Sequence, residues 1–192
     1  TLGADNGIGC AAELAILDSD DIEHGPIECL FTMDEETGMT GAMNLKPGFF
    51  NGKILLNLDS EDEGELFIGC AGGMGTMAEF AYEKREATDD YLYFEVKVSG
   101  LKGGHSGGEI HIGLGNANKI LTRYLYALEH ELDWKLCSFQ GGNLHNAIPR
   151  EAHAVIGLKA DQKERARVIL NELAAAVEDE LKRVDPGVKL EM

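Results

Sequence analysis

Apolar and polar positions follow two different rhythms along this chain. In the first stretch, Ile8, Ala11, Ala12, Ala15 and Ile16 recur at helical spacing and predict a helix ending near residue 17. Short, nearly unbroken apolar runs at 27–33, 54–58 and 66–71 suit strands buried on both faces. Polar loops separate them, at 18–25, 34–38 and 60–65, and a short helix is expected over 39–45. Helix and strand alternate, as in an α/β sheet.

Around Thr88 the rhythm changes. Leu92, Phe94, Val96 and Val98 alternate with Tyr91, Tyr93, Glu95, Lys97 and Ser99, which marks a strand with one apolar face. A glycine-rich loop at 100–115, a helix at 116–132, strands at 135–140 and 152–159, a long amphipathic helix at 162–183 and a strand from 188 follow. The order β-α-β-β-α-β is that of a ferredoxin-like unit. The pattern therefore predicts an α/β protein of two domains, residues 1–87 and 88–192.

Composition narrows the function classes. A formal net charge of −17 over 192 residues repels nucleic acid and anionic membranes, so neither is expected as a partner. No stretch is apolar for long enough to span a bilayer. The four cysteines, Cys10, Cys29, Cys70 and Cys137, form no Cys-x-x-Cys pair and sit in apolar surroundings as small hydrophobes, which fits a reducing, cytoplasmic location. The chain opens at Thr1 in a loop that should follow a strand, so it is expected to be a piece of a longer protein.

The densest chemistry is Thr32-Met33-Asp34-Glu35-Glu36-Thr37-Gly38. Three adjacent carboxylates disfavour one another's ionisation. A cation relieves that, and such a site can use one carboxylate as ligand and another as base; a solvated acidic turn is the alternative. Asp5 opens a helix, where it could instead cap, and Asp59 ends an expected strand, where it could instead be a solvated loop acid. Three oxygen donors at loop junctions point to a hard or borderline cation. In Gly103-Gly104-His105-Ser106-Gly107-Gly108, flanking glycines leave His105 free to donate to an oxyanion or a substrate carboxylate, or simply to face solvent. Asn146, in Asn143-Leu144-His145-Asn146-Ala147-Ile148-Pro149, could bind substrate or hold its own turn. The other histidines, His24, His111, His130, His145 and His153, have no spacing that argues for zinc.

Taken together, the segments Thr1 to Gly7, Thr32 to Met39, Asn57 to Glu65, Gly69 to Gly73, Gly100 to Asn118 and Asn146 to Ala152 resemble the aminoacyl-histidine dipeptidase (peptidase D, cytosol non-specific dipeptidase) family. That family lies in the metallopeptidase clan that includes aminoacylase, carnosinase and carboxypeptidase G. The resemblance implies a zinc-peptidase catalytic domain followed by a lid and dimerisation domain, two divalent metal ions, zinc by preference, a dipeptide substrate and a homodimer through the lid. It implies that Asp5 bridges the metals, Glu36 and Asp59 each bind one, and Glu35 is the general base. His105 would stabilise the oxyanion, and Asn146 would lie near the substrate. The family's upstream His-x-Asp motif and its downstream His ligand have no counterpart here, so the 192-residue chain by itself is expected to be inactive. A deacylase or carboxypeptidase of the same clan is a second reading, and a non-catalytic dimerisation or binding module a third.

Overall fold

The structure, a computed structural model, describes residues 5–60, 62–70, 72–86, 88 and 90–192. Residues 1–4 of the opening loop, residue 61 of the acidic loop, residue 71 of the third apolar run and residue 87 at the expected domain boundary lie outside the described residues. The chain divides into two compact units, Thr1–Ala78 and Glu79–Met192.

The second unit has a four-stranded antiparallel sheet. Its strands are β1 (Tyr91–Ser99), β3 (Trp134–Gly141), β5 (Ala152–Lys159) and β6 (Lys189–Glu191), in the order β3-β5-β1-β6. The helices α4 (Ala117–Glu129) and α5 (Lys163–Leu181) join them in the β-α-β-β-α-β order that the periodicity predicts, and the whole is ferredoxin-like. Alternation in β1 places Val96 and Val98 in the core, and Ala152, Ala154, Ile156 and Leu158 do the same from β5. Asn116 caps α4, its side chain accepting from the Lys119 amide at 3.1 Å. Ala117, Ile120, Leu121, Tyr124, Leu125 and Leu128 then recur at helical spacing and are buried. The Tyr124 hydroxyl donates to the Ala166 carbonyl at 3.1 Å, which satisfies a buried polar group and ties α4 to α5. Leu92 departs from the expected inward face and is 47% exposed.

Between β1 and α4 the chain forms a two-stranded ladder with a later loop. In it β2 (Gly104–His105) pairs antiparallel with β4 (Ala147–Ile148).

The first unit holds the helices α1 (Gly7–Asp18), α2 (Glu35–Gly38) and α3 (Thr40–Met43). The helix expected over 39–45 is present as the shorter α3, and α2 forms inside the loop expected at 34–38. Asp34 accounts for this: its carboxylate accepts from the hydroxyls of both Thr37 and Thr40, closing the turn around α2. The strands expected at 27–33, 54–58 and 66–71 are absent among the described residues of this unit. A strand needs a hydrogen-bonded neighbour, and an apolar run specifies burial without naming one. Here the described residues of the runs form no strand, with Ile54 84% and Leu66 96% exposed. Cys10, Cys70 and Cys137 are also exposed rather than packed as small hydrophobes, and all four cysteines are free thiols.

Candidate functional site

In the first unit the capping role that competed for Asp5 is filled by Asn6, whose Oδ1 accepts from the Gly9 amide at 2.9 Å. Among the three adjacent acids the division is sharp. Asp34 is occupied by Thr37 and Thr40, and those hydroxyl bonds hold its carboxyl below the ordinary value. Glu35 and Glu36 form the first turn of α2, exposed and without side-chain partners among the described residues. The chain is tight behind them. The Gly41 amide donates to the Met33 carbonyl at 3.1 Å, and a Cβ at Gly41 would lie 2.6 Å from the Met33 nitrogen. Near Asp59 the turn is held by Asn57, whose Oδ1 accepts from the Asp59 amide at 3.1 Å. The Asp59 carboxylate is left exposed.

Asp5, Glu36 and Asp59 offer the right donor atoms for a divalent cation. Their arrangement does not complete a site: among the described residues no three His, Cys, Asp or Glu side chains are grouped closely enough to hold a metal ion. The unpaired state of the 54–58 and 66–70 runs is the physical reason, since sheet pairing is what would bring loop ends together.

The second unit does bring its two predicted residues together. His105 pairs with Ala147 across the β2–β4 ladder, and the Ser106 amide donates to the carbonyl of Asn146 at 2.8 Å. The Asn146 carbonyl thus ties the two loops together, and its side chain is exposed.

His105 is held from three directions. Its backbone amide donates to Glu109 Oε2 at 2.7 Å. On the ring, Nδ1 accepts from the amides of Gly107 at 3.1 Å and Gly108 at 3.0 Å. A nitrogen facing two N–H groups is an acceptor, so the neutral imidazole carries its proton on Nε2. The glycines follow from this closeness: a Cβ at Gly107 would stand 3.2 Å from the His105 ring.

Beside the ladder lies a cavity of about 510 Å³, lined among others by Ser106, Asn116, Asn118, Asn143 and His145. The motifs did not single out Asn118. Its Nδ2 donates to the Gly141 carbonyl at 3.2 Å, while its Oδ1 is buried with no partner. The signal for it is the glycine pair opposite, since a Cβ at Gly141 would collide with Asn118 Oδ1. No helix among the described residues is long and apolar enough to cross a membrane.

Residues 96–185 match the family model described as the peptidase dimerisation domain. Over 190 residues the chain is 46% identical to the cytosol non-specific dipeptidase of Escherichia coli (strain K12), covering 99% of this chain and 39% of the relative. It is 26% identical over 185 residues to the uncharacterized protein YqjE of Bacillus subtilis (strain 168), covering 93% of this chain and 45% of the relative. The solved structure of aminoacylhistidine dipeptidase from Vibrio alginolyticus aligns over 100% of this chain and 39% of its own, with 42% identity and a TM-score of 0.74. The chain thus spans about two fifths of the length of its dipeptidase relatives. It is similar over almost its whole length to part of the cytosol non-specific and aminoacylhistidine dipeptidases, and its residues 96–185 match the peptidase dimerisation domain.

Proposed function

We propose that the complete protein to which this chain belongs hydrolyses dipeptides, Xaa-His among them, into free amino acids. The observation that carries the reading is the ring of His105, whose Nδ1 is occupied by two backbone amides so that Nε2–H is the donor. An oriented N–H donor is what a developing oxyanion requires. Glu35 takes the proton of the attacking water and returns it to the leaving amine; its exposed carboxylate, unengaged by Thr37 or Thr40, supports that role. Asn146 is assigned to the substrate.

Two divalent metal ions, zinc by preference, belong to the same reading, with Asp5, Glu36 and Asp59 as oxygen ligands. Three carboxylates that are not gathered here do not suffice, so the proposal assigns the remaining ligands to other parts of the protein. The two domains of the proposal are a metal-binding one at 1–87 and a lid and dimerisation one at 88–192. A homodimer through the lid is supported by β3, an edge strand carrying the exposed side chains Leu136 and Phe139. The cytosolic name of the Escherichia coli relative supports a cytoplasmic location.

The test is to assay the full-length gene product on Ala-His and on N-acetyl-Ala, before and after chelation and with zinc restored. Cleavage of Ala-His that chelation abolishes and zinc restores is expected. Cleavage of the acetylated substrate alone would make the protein a deacylase. Cleavage of neither by a folded, zinc-loaded protein would leave the dimerisation or binding module.

A further inference from the structure

We propose that Asp185 is a positioning residue for His105, acting by pinning both ends of the loop that carries it. Asp185 lies just beyond α5 and is 1% exposed, the one charged residue in the core among the described residues. Burying a carboxylate is unfavourable unless its oxygens are satisfied. Each oxygen takes one backbone amide: Oδ1 accepts from Lys102 at 2.8 Å and Oδ2 from Gly115 at 2.7 Å. Those amides stand at the two ends of the 102–115 loop, and His105 lies between them. Among the described residues no cation pairs with Asp185, so the amides alone compensate the charge.

The surroundings are built to this contact. A Cβ at Gly115 would lie 2.5 Å from Leu101 Cδ2, 2.9 Å from Leu181 Cδ1 and 3.4 Å from Asp185 Oδ2, so only glycine brings that amide to the carboxylate. At the other end Gly100, with φ of +77°, passes so close to Gly187 that a Cβ would meet the Gly187 carbonyl. The Asp185 amide donates to the Leu181 carbonyl at 2.8 Å, which fixes the carboxylate to the end of α5. The line of support runs from α5 through Asp185 to the loop ends, then through Glu109 to the His105 backbone and through Gly107 and Gly108 to its ring. A carboxylate serves here where an amide side chain does not. Asn at 185 keeps one acceptor and turns an N–H donor toward the other backbone N–H.

The catalytic part of this inference rests on the role proposed for His105, and the experiment separates the two. In the wild-type full-length protein, residue-resolved hydrogen exchange should find the Lys102 and Gly115 amides as slow as those of the β1–β5 ladder. Fast exchange at both would overturn the clamp without any variant. Asp185→Asn is then assayed on Ala-His alone and in a His105→Ala background; Asp185→Ser, which keeps one acceptor, replaces it if it does not fold. The expected result is a loss of kcat on the order of 10- to 100-fold with KM little changed, as for a misplaced group. In the His105→Ala background the further loss should be under about 2-fold. Equal losses in both backgrounds, or undiminished kcat in the folded single variant, would overturn the positioning role alone. Wild-type kcat in His105→Ala itself would overturn the reading of His105 and with it the catalytic role of Asp185.

Discussion

The two units of this chain handle the same physical problem differently. The ferredoxin-like unit pairs its strands with one another and gathers its apolar core within itself: β5 is paired on both sides, and Val96, Val98, Ile156 and Leu158 are buried in one core with residues of α4 and α5. Among the described residues of the 5–78 region, stretches just as apolar form no strand and stay exposed, Leu55, Leu56 and Phe67 among them. Apolar content does not distinguish the regions; the presence of a pairing partner does. The consequence reaches the chemistry. Where the backbone is paired, His105 is held by its neighbours; where it is not, Asp5, Glu36 and Asp59 are not grouped.

Hydrogen exchange on the 192-residue chain is expected to show the largest contrast. Amides of β1 paired to β5 should exchange more slowly than those at 54–58 by on the order of 10³-fold or more. Similar rates would remove the contrast. Core truncation comes next. Leu121→Ala or Leu128→Ala should cost about 2–5 kcal/mol, because both side chains are fully buried. Leu56→Ala, at an exposed site, should stay within about 0.5 kcal/mol. Urea unfolding followed by Trp134, the single tryptophan and a residue of β3, measures all three.

Smaller effects are expected on the surface of the same unit. Arg123 and Glu180 pair at 2.7 Å, but both are about half exposed, so Arg123→Ala should cost no more than about 1 kcal/mol. The Asp133 carboxylate accepts from Lys135 and Tyr91 and pairs with Lys159, and these contacts hold its carboxyl down at about 2. Its value in the unfolded chain is about 3.9. A folded value below the unfolded one stabilises the fold above about pH 4, and the contribution is lost as pH falls through about 2. Thermal unfolding across that window should show a slope that Asp133→Asn diminishes; an unchanged slope would assign the acid sensitivity to other carboxylates.

The sequence made the second unit legible because its periods are unambiguous: residue alternation across 91–99, and helical spacing from Ala117 to Leu128. The first unit was legible only at α1 and, in part, at α3. Its apolar runs carry a strand signal, but a partner strand is a long-range property that no local pattern contains. At the site, the glycines around His105 pointed to it, whereas the tautomer depends on where the Gly107 and Gly108 amides turn. Asp185 is not legible in the sequence, because Val-Asp-Pro-Gly has the look of a solvated turn. Its burial depends on partners 83 and 70 residues away. Asn118 is illegible for the same reason, since its neighbour Gly141 lies 23 residues on.

The most direct test of the proposed chemistry is the rate of Ala-His hydrolysis by the full-length protein with Glu35→Gln, measured beside wild type at equal metal content. Loss of a general base should lower kcat by on the order of 10²-fold or more. A Glu35→Gln protein that hydrolyses Ala-His at the wild-type rate would contradict the role assigned to Glu35 and the mechanism built on it.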